Sequence, residues 1–305
     1  MSITEAPIAA TPKAVVETPF RRFASEYLES RVAAFALGLM LVLIGLAILA
    51  PWITPQNPYD LAQVDVLDSR LPPGTKSSGN YTHWLGTDGA GRDLLSAMIY
   101  GLRISLIVGV MSGLIAMIVG TAVGMTAAYV GGRVENLIMR IVDLQLSFPA
   151  ILLALMLIAV LGKGIDKIII ALVTVQWAYY ARTVRGTALV EARKEYVEAA
   201  RCLGLSSPRI LFKHILPNCI APLIVVATVQ TAHAIALEAT LSFLGVGLPQ
   251  TEPSLGLLIS NGFEYMLSGK YWISFFPGLV LLVTIVAINL VGDQLRDVLN
   301  PRLKR

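Results

Sequence analysis

The run at 104–130, ISLIVGVMSGLIAMIVGTAVGMTAAYV, holds 27 residues without a Lys, Arg, Asp or Glu. As a helix it would rise about 40 Å, against a hydrocarbon core of roughly 30 Å. A segment apolar on every face has no side to present to water, so it is predicted to cross a membrane with some tilt or protrusion. Its small residues Gly109, Gly113, Ala116, Gly120, Gly124 and Ala127 recur at steps of three or four, and GxxxG is written twice. They predict one flat face on which a second helix can settle closely and gain dispersion contacts. The alternative is that glycine is merely common in membrane helices. Both readings put the segment in a packed bundle.

The rest of the chain also points to a lipid solvent. Of 305 residues, 55% are hydrophobic and 14% charged, with a mean hydropathy of +0.70, whereas soluble domains carry about 25% charged residues. The 24 basic and 20 acidic side chains are too few to coat a soluble enzyme of this length. The same composition excludes disorder over most of the chain, and a count of two cysteines, Cys202 and Cys219, excludes a disulfide framework. Four further runs are free of charge: 33–53, 144–162, 215–237 and 271–292. The remaining candidate, 168–181, has only 14 uncharged residues; Trp177, Tyr179 and Tyr180 near its end read as an interfacial belt, and it is assigned as a short span. The predicted fold class is an all-α integral membrane protein with six transmembrane helices.

Charge placement sets the orientation. With the N-terminus inside, 17 Lys and Arg residues fall in cytoplasmic segments and 6 in external ones, with Arg103 at a span end. Basic loops stay in the cytoplasm, so both termini are predicted there. The first span is too long, and lies too far from the N-terminus, for a cleaved leader. Residues 1–31 are expected to be a largely disordered cytoplasmic tail, 32–98 the first span with an external loop, 99–293 the core with five spans, and 294–305 a cytoplasmic tail. The external loop is rich in Pro and Gly and is expected to fold over the outer mouth. Within it, Gly91-Arg92-Asp93-Leu94-Leu95 can open a helix with Asp93 at the positive end of the dipole.

Inside, residues 182–214 form the only large polar stretch. A helical pattern over 189–203 puts Leu189, Val197, Ala200 and Leu203 near one face and Lys194 four residues before Glu198 on another. Gly204 is expected to cap that helix, and Ser206-Ser207-Pro208 to start a second. Leu205, Ile210, Leu211 and Phe212 have little cytoplasmic mass to cover them. Such a knob suits a groove on a soluble partner, or an amphipathic loop lying on anionic lipid. Pro217 stands where this segment passes into the next span.

These residues carry a resemblance. Glu198-Ala199-Ala200, Gly204 six residues after the Glu, and Ile215-Leu216-Pro217 resemble the EAA loop of permease subunits of binding-protein-dependent ABC importers. LGTDGAGRDLLS at 85–96, YGLRISLIVG at 100–109, YVGGRVENLIMRIVD at 129–143, LEATLSFLGVG at 237–247 and NLVGDQLRDVLNPR at 289–302 extend it over nearly the whole chain. Together they are similar to the dipeptide, oligopeptide and nickel branch, in its shorter-loop permease.

The resemblance implies a type I ABC importer permease fold in a bacterial inner membrane. It implies a second homologous permease as heterodimer partner, two cytoplasmic ATP-binding subunits, and a periplasmic solute-binding protein. The loop 183–217 would be the coupling device, with Glu198, Ala199, Ala200, Gly204, Ser207, Pro208, Ile210, Leu211 and Pro217 as its positions. Small peptides are the implied cargo; nickel chelates, glutathione or opine-like solutes are the alternative. The residues themselves say that ATP is handled elsewhere: no GxxxxGK[ST] loop is present, so ATP and Mg are expected on partner subunits, with no cofactor or metal in this chain. His83, His214 and His233 are too scattered for a metal set, and nothing points to nucleic acid.

Motion at Pro217 would pass along the following span to Gln230, Thr231, His233 and Glu238, the candidates for path or gate. An ionised Glu at the bilayer centre costs about 2.5–3.5 kcal/mol on insertion scales, so Glu238 should face water, a partner or the interface. The other reading of Glu238 is structural pairing at a helix end. A secondary transporter is the competing class, but no inverted repeat is visible.

Overall fold

The computed structural model describes residues 19–60, 62–77 and 81–299. The disorder expected for residues 1–18 and the last residues of the expected cytoplasmic tail, 300–305, lie outside the described residues. The helices are α1 (Pro19–Leu28), α2 (Arg31–Ile53), α3 (Leu94–Val130), α4 (Gly132–Ser147), α5 (Ala150–Leu161), α6 (Ile165–Glu191), α7 (Glu195–Cys202), α8 (Ser207–Ile210), α9 (Leu216–Phe243), α10 (Leu255–Phe263) and α11 (Trp272–Leu299). A π-helical turn, Leu211–Ile215, joins α8 to α9. One short antiparallel pair, β1 (Thr75–Lys76) with β2 (Thr82–His83), lies in the loop after α2.

The glycine face of α3 organises the bundle. A Cβ on Gly109 would lie 2.6 Å from Ile235 Cγ1, and one on Gly113 3.2 Å from Thr231 Oγ1, so this half of α3 runs antiparallel against α9. Further along, a Cβ on Gly120 would meet Tyr180 Cβ at 2.6 Å, and one on Gly124 the Ala181 carbonyl oxygen at 2.5 Å. There α6 runs parallel to α3, and Ile104 and Val108 share a buried cluster with Ile168 and Leu172 near the start of α6. Gly292 of α11 abuts Thr228 of α9. Ala47 of α2 joins Leu94, Met98 and Leu102 of α3 in another cluster. The order of directions places α1, the start of α2, α7, α8 and the end of α11 on one side of the bundle. Gln294 reaches the Tyr27 carbonyl there.

Among the described residues, four segments are long and apolar enough to cross a membrane: Arg31–Ile53, Leu94–Val130, Ser207–Phe243 and Trp272–Leu299. The expected straight span at 144–162 is corrected. Its apolar run is turned through 92° between α4 and α5, and the bent pair makes at most one further span. Phe148-Pro149 is the break, because the residue before a proline is pushed out of the helical region. The short span 168–181 lies inside α6, whose 27 residues rise about 40 Å, enough to cross. The interfacial belt expected there is corrected at one residue: Tyr180 is fully buried, with its Cβ against the glycine face, while Trp177 and Tyr179 are partly exposed.

Other departures are local. The N-terminal tail is helical from Pro19 to Leu28. The helix expected over 189–203 is interrupted at Ala192–Lys194, so that α6 and α7 are separate. A short helix not anticipated from sequence, α10, is wedged between α9 and α11: Gly256 abuts Ala239 and Gly262 abuts Ile273.

Candidate functional site

The inner segment between α6 and α9 is built from backbone caps and one polar brace. After α7, Gly204 donates to the Arg201 carbonyl at 2.9 Å and Leu205 to the Ala200 carbonyl at 3.2 Å, the paired bonds of a Schellman cap. Gly204 stands at φ +70, and the place a Cβ would take has nothing within 4 Å, so the backbone angle and not a clash is what calls for glycine. Pro208 sits in the first turn of α8, and Ser206 is the extended N-cap residue without a side-chain cap bond. At the other end, Glu191 accepts from Lys194 Nζ at 2.6 Å and from Tyr196 Oη at 2.8 Å. Asn218 Nδ2 donates to Tyr196 Oη at 3.2 Å and to the His214 carbonyl at 2.7 Å. Lys194 thus pairs with Glu191 and not with Glu198. Burial works to raise the Glu191 carboxyl, but the bonds from Lys194 and Tyr196 outweigh it and hold the group below its ordinary range. Burial, and then the bond to Glu191, push the Tyr196 hydroxyl up to about 12.

The expected coupling residues divide by exposure. Glu198, Ala199, Gly204, Ser207, Pro208 and Pro217 are exposed, while Ala200 is buried. Ile210 is also buried, in a cluster with Tyr180, Val184, Val197 and Ile215, and Leu205 and Leu211 pack against it. The bare apolar knob is therefore corrected: the inner ends of α3 and α6 cover most of it, and Leu203 (79% exposed) and Phe212 (64%) are what remains. The face left open includes Glu198, Ala199, Gly204, Ser207 and Pro208.

The four expected path residues do not form one wall. Glu238 is fully buried; its Oε2 accepts from Ser105 of α3 at 3.0 Å and its Oε1 from Ser242 at 2.8 Å. Of its two readings the geometry carries the structural one, a tie between α9 and α3. Thr231 gives its hydroxyl to the Ala227 carbonyl at 2.8 Å and lies against Gly113, and His233 is exposed. Gln230 is buried, and its carbonyl accepts from Gln176 Nε2 at 3.2 Å.

Two family models match the chain: the binding-protein-dependent transport system inner membrane component over residues 120–305, and the N-terminal transmembrane domain of oligopeptide transport permease C over residues 18–73. The chain belongs to this transport family. The permease is 39% identical over 303 residues, 99% of both chains, to the dipeptide transport system permease protein DppC of Escherichia coli K12. It is 37% identical over 296 residues, 97% of its own length and 96% of the relative's, to the di/tripeptide transport system permease protein DppC of Pseudomonas aeruginosa. It is 42% identical over 276 residues, 90% of each, to a putative peptide transport system permease protein of Brucella suis. Among solved structures it is similar to a chain of the MetNI methionine ABC transporter in inward-facing conformations. The TM-score is 0.55 at 20% identity, over 68% of the permease and 98% of that chain, which shows the fold. The permease is thus a multi-pass inner membrane component of a binding-protein-dependent transport system, with the type I permease fold.

On the opposite side of the permease, the loop before α3 is ordered by buried charge. Asp93 caps α3, accepting from the Ser96 amide at 2.8 Å and the Ser96 hydroxyl at 2.6 Å, in line with the expectation for the GRDLL segment. Its other oxygen meets His83 Nδ1 at 2.9 Å, and its amide donates to Gln56 Oε1 at 2.6 Å. Asp88 accepts from Arg92 Nε at 2.7 Å, and Arg92 reaches the Gln250 carbonyl at 3.2 Å, fastening the loop to the turn before α10. Sequence reasoning missed the partners of Asp93, the Glu191–Tyr196–Asn218 brace, and the pairs that bind α4 to α6, Asp143 with Arg182 and Glu135 with Arg185. The usable signal was that α4 and α6 each carry charges of opposite sign in otherwise apolar surroundings.

Proposed function

We propose that the permease imports small peptides as one half of a heterodimeric channel. Two cytoplasmic ATP-binding subunits each grip one inner segment, and a periplasmic binding protein delivers solute to the face formed by the loop before α3. The inner segment and both termini then lie in the cytoplasm, in keeping with the bias of Lys and Arg toward that side. ATP and Mg belong to the partner subunits, because the sequence contains no phosphate-cradling loop.

One observation carries this reading. Glu198, Ala199, Leu203 and Phe212 are held out to solvent on a turn whose two ends are the ends of α6 and α9. The brace of Glu191, Tyr196 and Asn218 joins those ends, so a push on the turn is delivered to both helices as a unit. The cargo follows the relatives, which are named for dipeptides and di- and tripeptides and match the permease along nearly its whole length. The test is uptake of a labelled dipeptide by vesicles holding both permeases and the ATPases, fed by the binding protein. ATP-dependent accumulation supports the reading, and its absence with every component assembled overturns it.

A further inference from the structure

The inner half of the bundle contains a cavity of about 420 Å³ between α4, α6 and α9, lined by Leu146, Tyr179, Arg182, Thr183, Val226 and Gln230 among others. That volume is within the range of small-molecule sites, roughly 300–1,000 Å³. Its depth follows from the glycine register. Ala181 is level with Gly124, and Gly124 is six residues, about 9 Å, from the inner end of α3 at Val130. Arg182, the next residue, is thus about two turns of helix from that inner end.

Two features of this cavity are costly unless something polar enters it. Arg182 is paired with Asp143, yet about half of the Arg182 side chain and 65% of that of Asp143 remain exposed. Charge at this depth facing lipid is expensive, so this face looks onto water or a polar guest. Gln230 is the second feature. It is 6% exposed, it lines the cavity, and its side-chain oxygen is buried without a hydrogen-bond partner. Gln176 behind it, 1% exposed, is in the same state at its own Oε1. An unmet buried acceptor costs about 1–3 kcal/mol, so the Gln230 oxygen gains wherever a donor enters the cavity. Val226 and Leu146 supply the apolar remainder.

We propose that this cavity is a holding station for the transported peptide, in which Arg182 exchanges Asp143 for the peptide's terminal carboxylate and Gln230 accepts from its N–H groups. The inference rests on the peptide reading of the cargo and adds where, and by which end, the cargo is held. Arg182 offers two-pronged geometry that suits a carboxylate and discriminates it from a neutral amide. Because α6 and α9 both line the cavity and both receive the inner segment's motion, the station opens and closes with the coupling stroke.

The test is equilibrium binding of radiolabelled Ala-Ala and of its C-terminal amide to the purified permease–ATPase complex, without binding protein or nucleotide. Arg182→Gln should weaken binding of the free acid about tenfold, the loss of one charge-assisted hydrogen bond, and leave the amide within about twofold. Asp143→Asn, which removes the competing carboxylate, should tighten the acid and not the amide, and serves if Arg182→Gln fails to assemble. Equal effects on acid and amide overturn the station, as does loss of the second permease from both variants, which would make the pair a subunit contact. If the intact importer takes up dipeptide while these results go against Arg182, only the station falls. If the intact importer takes up no peptide, the cargo reading falls and takes the station with it.

Discussion

Gly204 and Gly91 share a left-handed backbone but differ in what surrounds them. Gly204, at φ +70, has open space beyond its Cα, so only the angle resists a side chain. Gly204→Ala should cost about 1 kcal/mol and Gly204→Asn less, since Asn tolerates this region. Gly91, at φ +84, faces the Asp65 carbonyl group, whose carbon would lie 3.0 Å from a new Cβ with its oxygen nearer still. Gly91→Ala should cost more than about 2 kcal/mol, and Asn should not rescue it. Thermal denaturation of the purified complex gives both values, and equal losses at the two positions would contradict this distinction. Glu238 is a third case. Glu238→Ala strands the hydroxyls of Ser105 and Ser242 and opens a hole, for about 2–4 kcal/mol, whereas Glu238→Gln keeps the shape and should cost less than half as much. Its place in the sequence announced a polar residue in an apolar helix with Ser242 one turn on, but Ser105, its partner on α3, left no local trace.

Between elements, the decisive contacts are a close face and a brace. Gly120→Leu and Gly124→Leu should abolish stable insertion, since each drives a side chain into the backbone of α6, while Gly38→Ala and Gly45→Ala, with nothing within 4 Å, should be silent. Membrane yield of the four variants measures this. The brace at Glu191 has a pH signature. A carboxyl held low in the folded state stabilises fully above its ordinary value, and that contribution is lost as pH falls through the depressed one. The difference in melting temperature between wild type and Glu191→Gln should be constant above about pH 5 and shrink below it. A difference that grows in acid would contradict the brace. The glycine face was legible because small residues at helical steps report directly on close approach. The bend at Phe148-Pro149 did have a signal, the proline, but hydropathy alone passes over it, because an uncharged run records composition and not direction. The cover over Ile210 was hidden: it depends on α6 extending past its apolar run and on Ala116 and Met125 of α3 packing there, which hydropathy does not measure.

At the scale of the molecule, one exposed turn is tied by the Glu191–Tyr196–Asn218 brace to α6 and α9, two of the helices that line the cavity at Arg182 and Gln230. The membrane class and the uncharged cores of the main spans could be read from the chain alone, as could the Gly204 turn, because length, charge and glycine placement act locally. The ion pairs joining α4 to α6 and the polar floor at Gln176 and Gln230 needed the fold, since each unites residues far apart in sequence. Glu198 and Gly204 occupy the open part of the turn, so Glu198→Lys, or Gly204→Trp, should leave the bundle inserted while breaking its link to the motor. The most direct measurement is ATP hydrolysis and dipeptide uptake recorded together in vesicles holding both permeases, the ATP-binding subunits and the binding protein. With either substitution, hydrolysis should persist while uptake falls to background; uptake at the wild-type rate with both variants would contradict the mechanical role given to this turn.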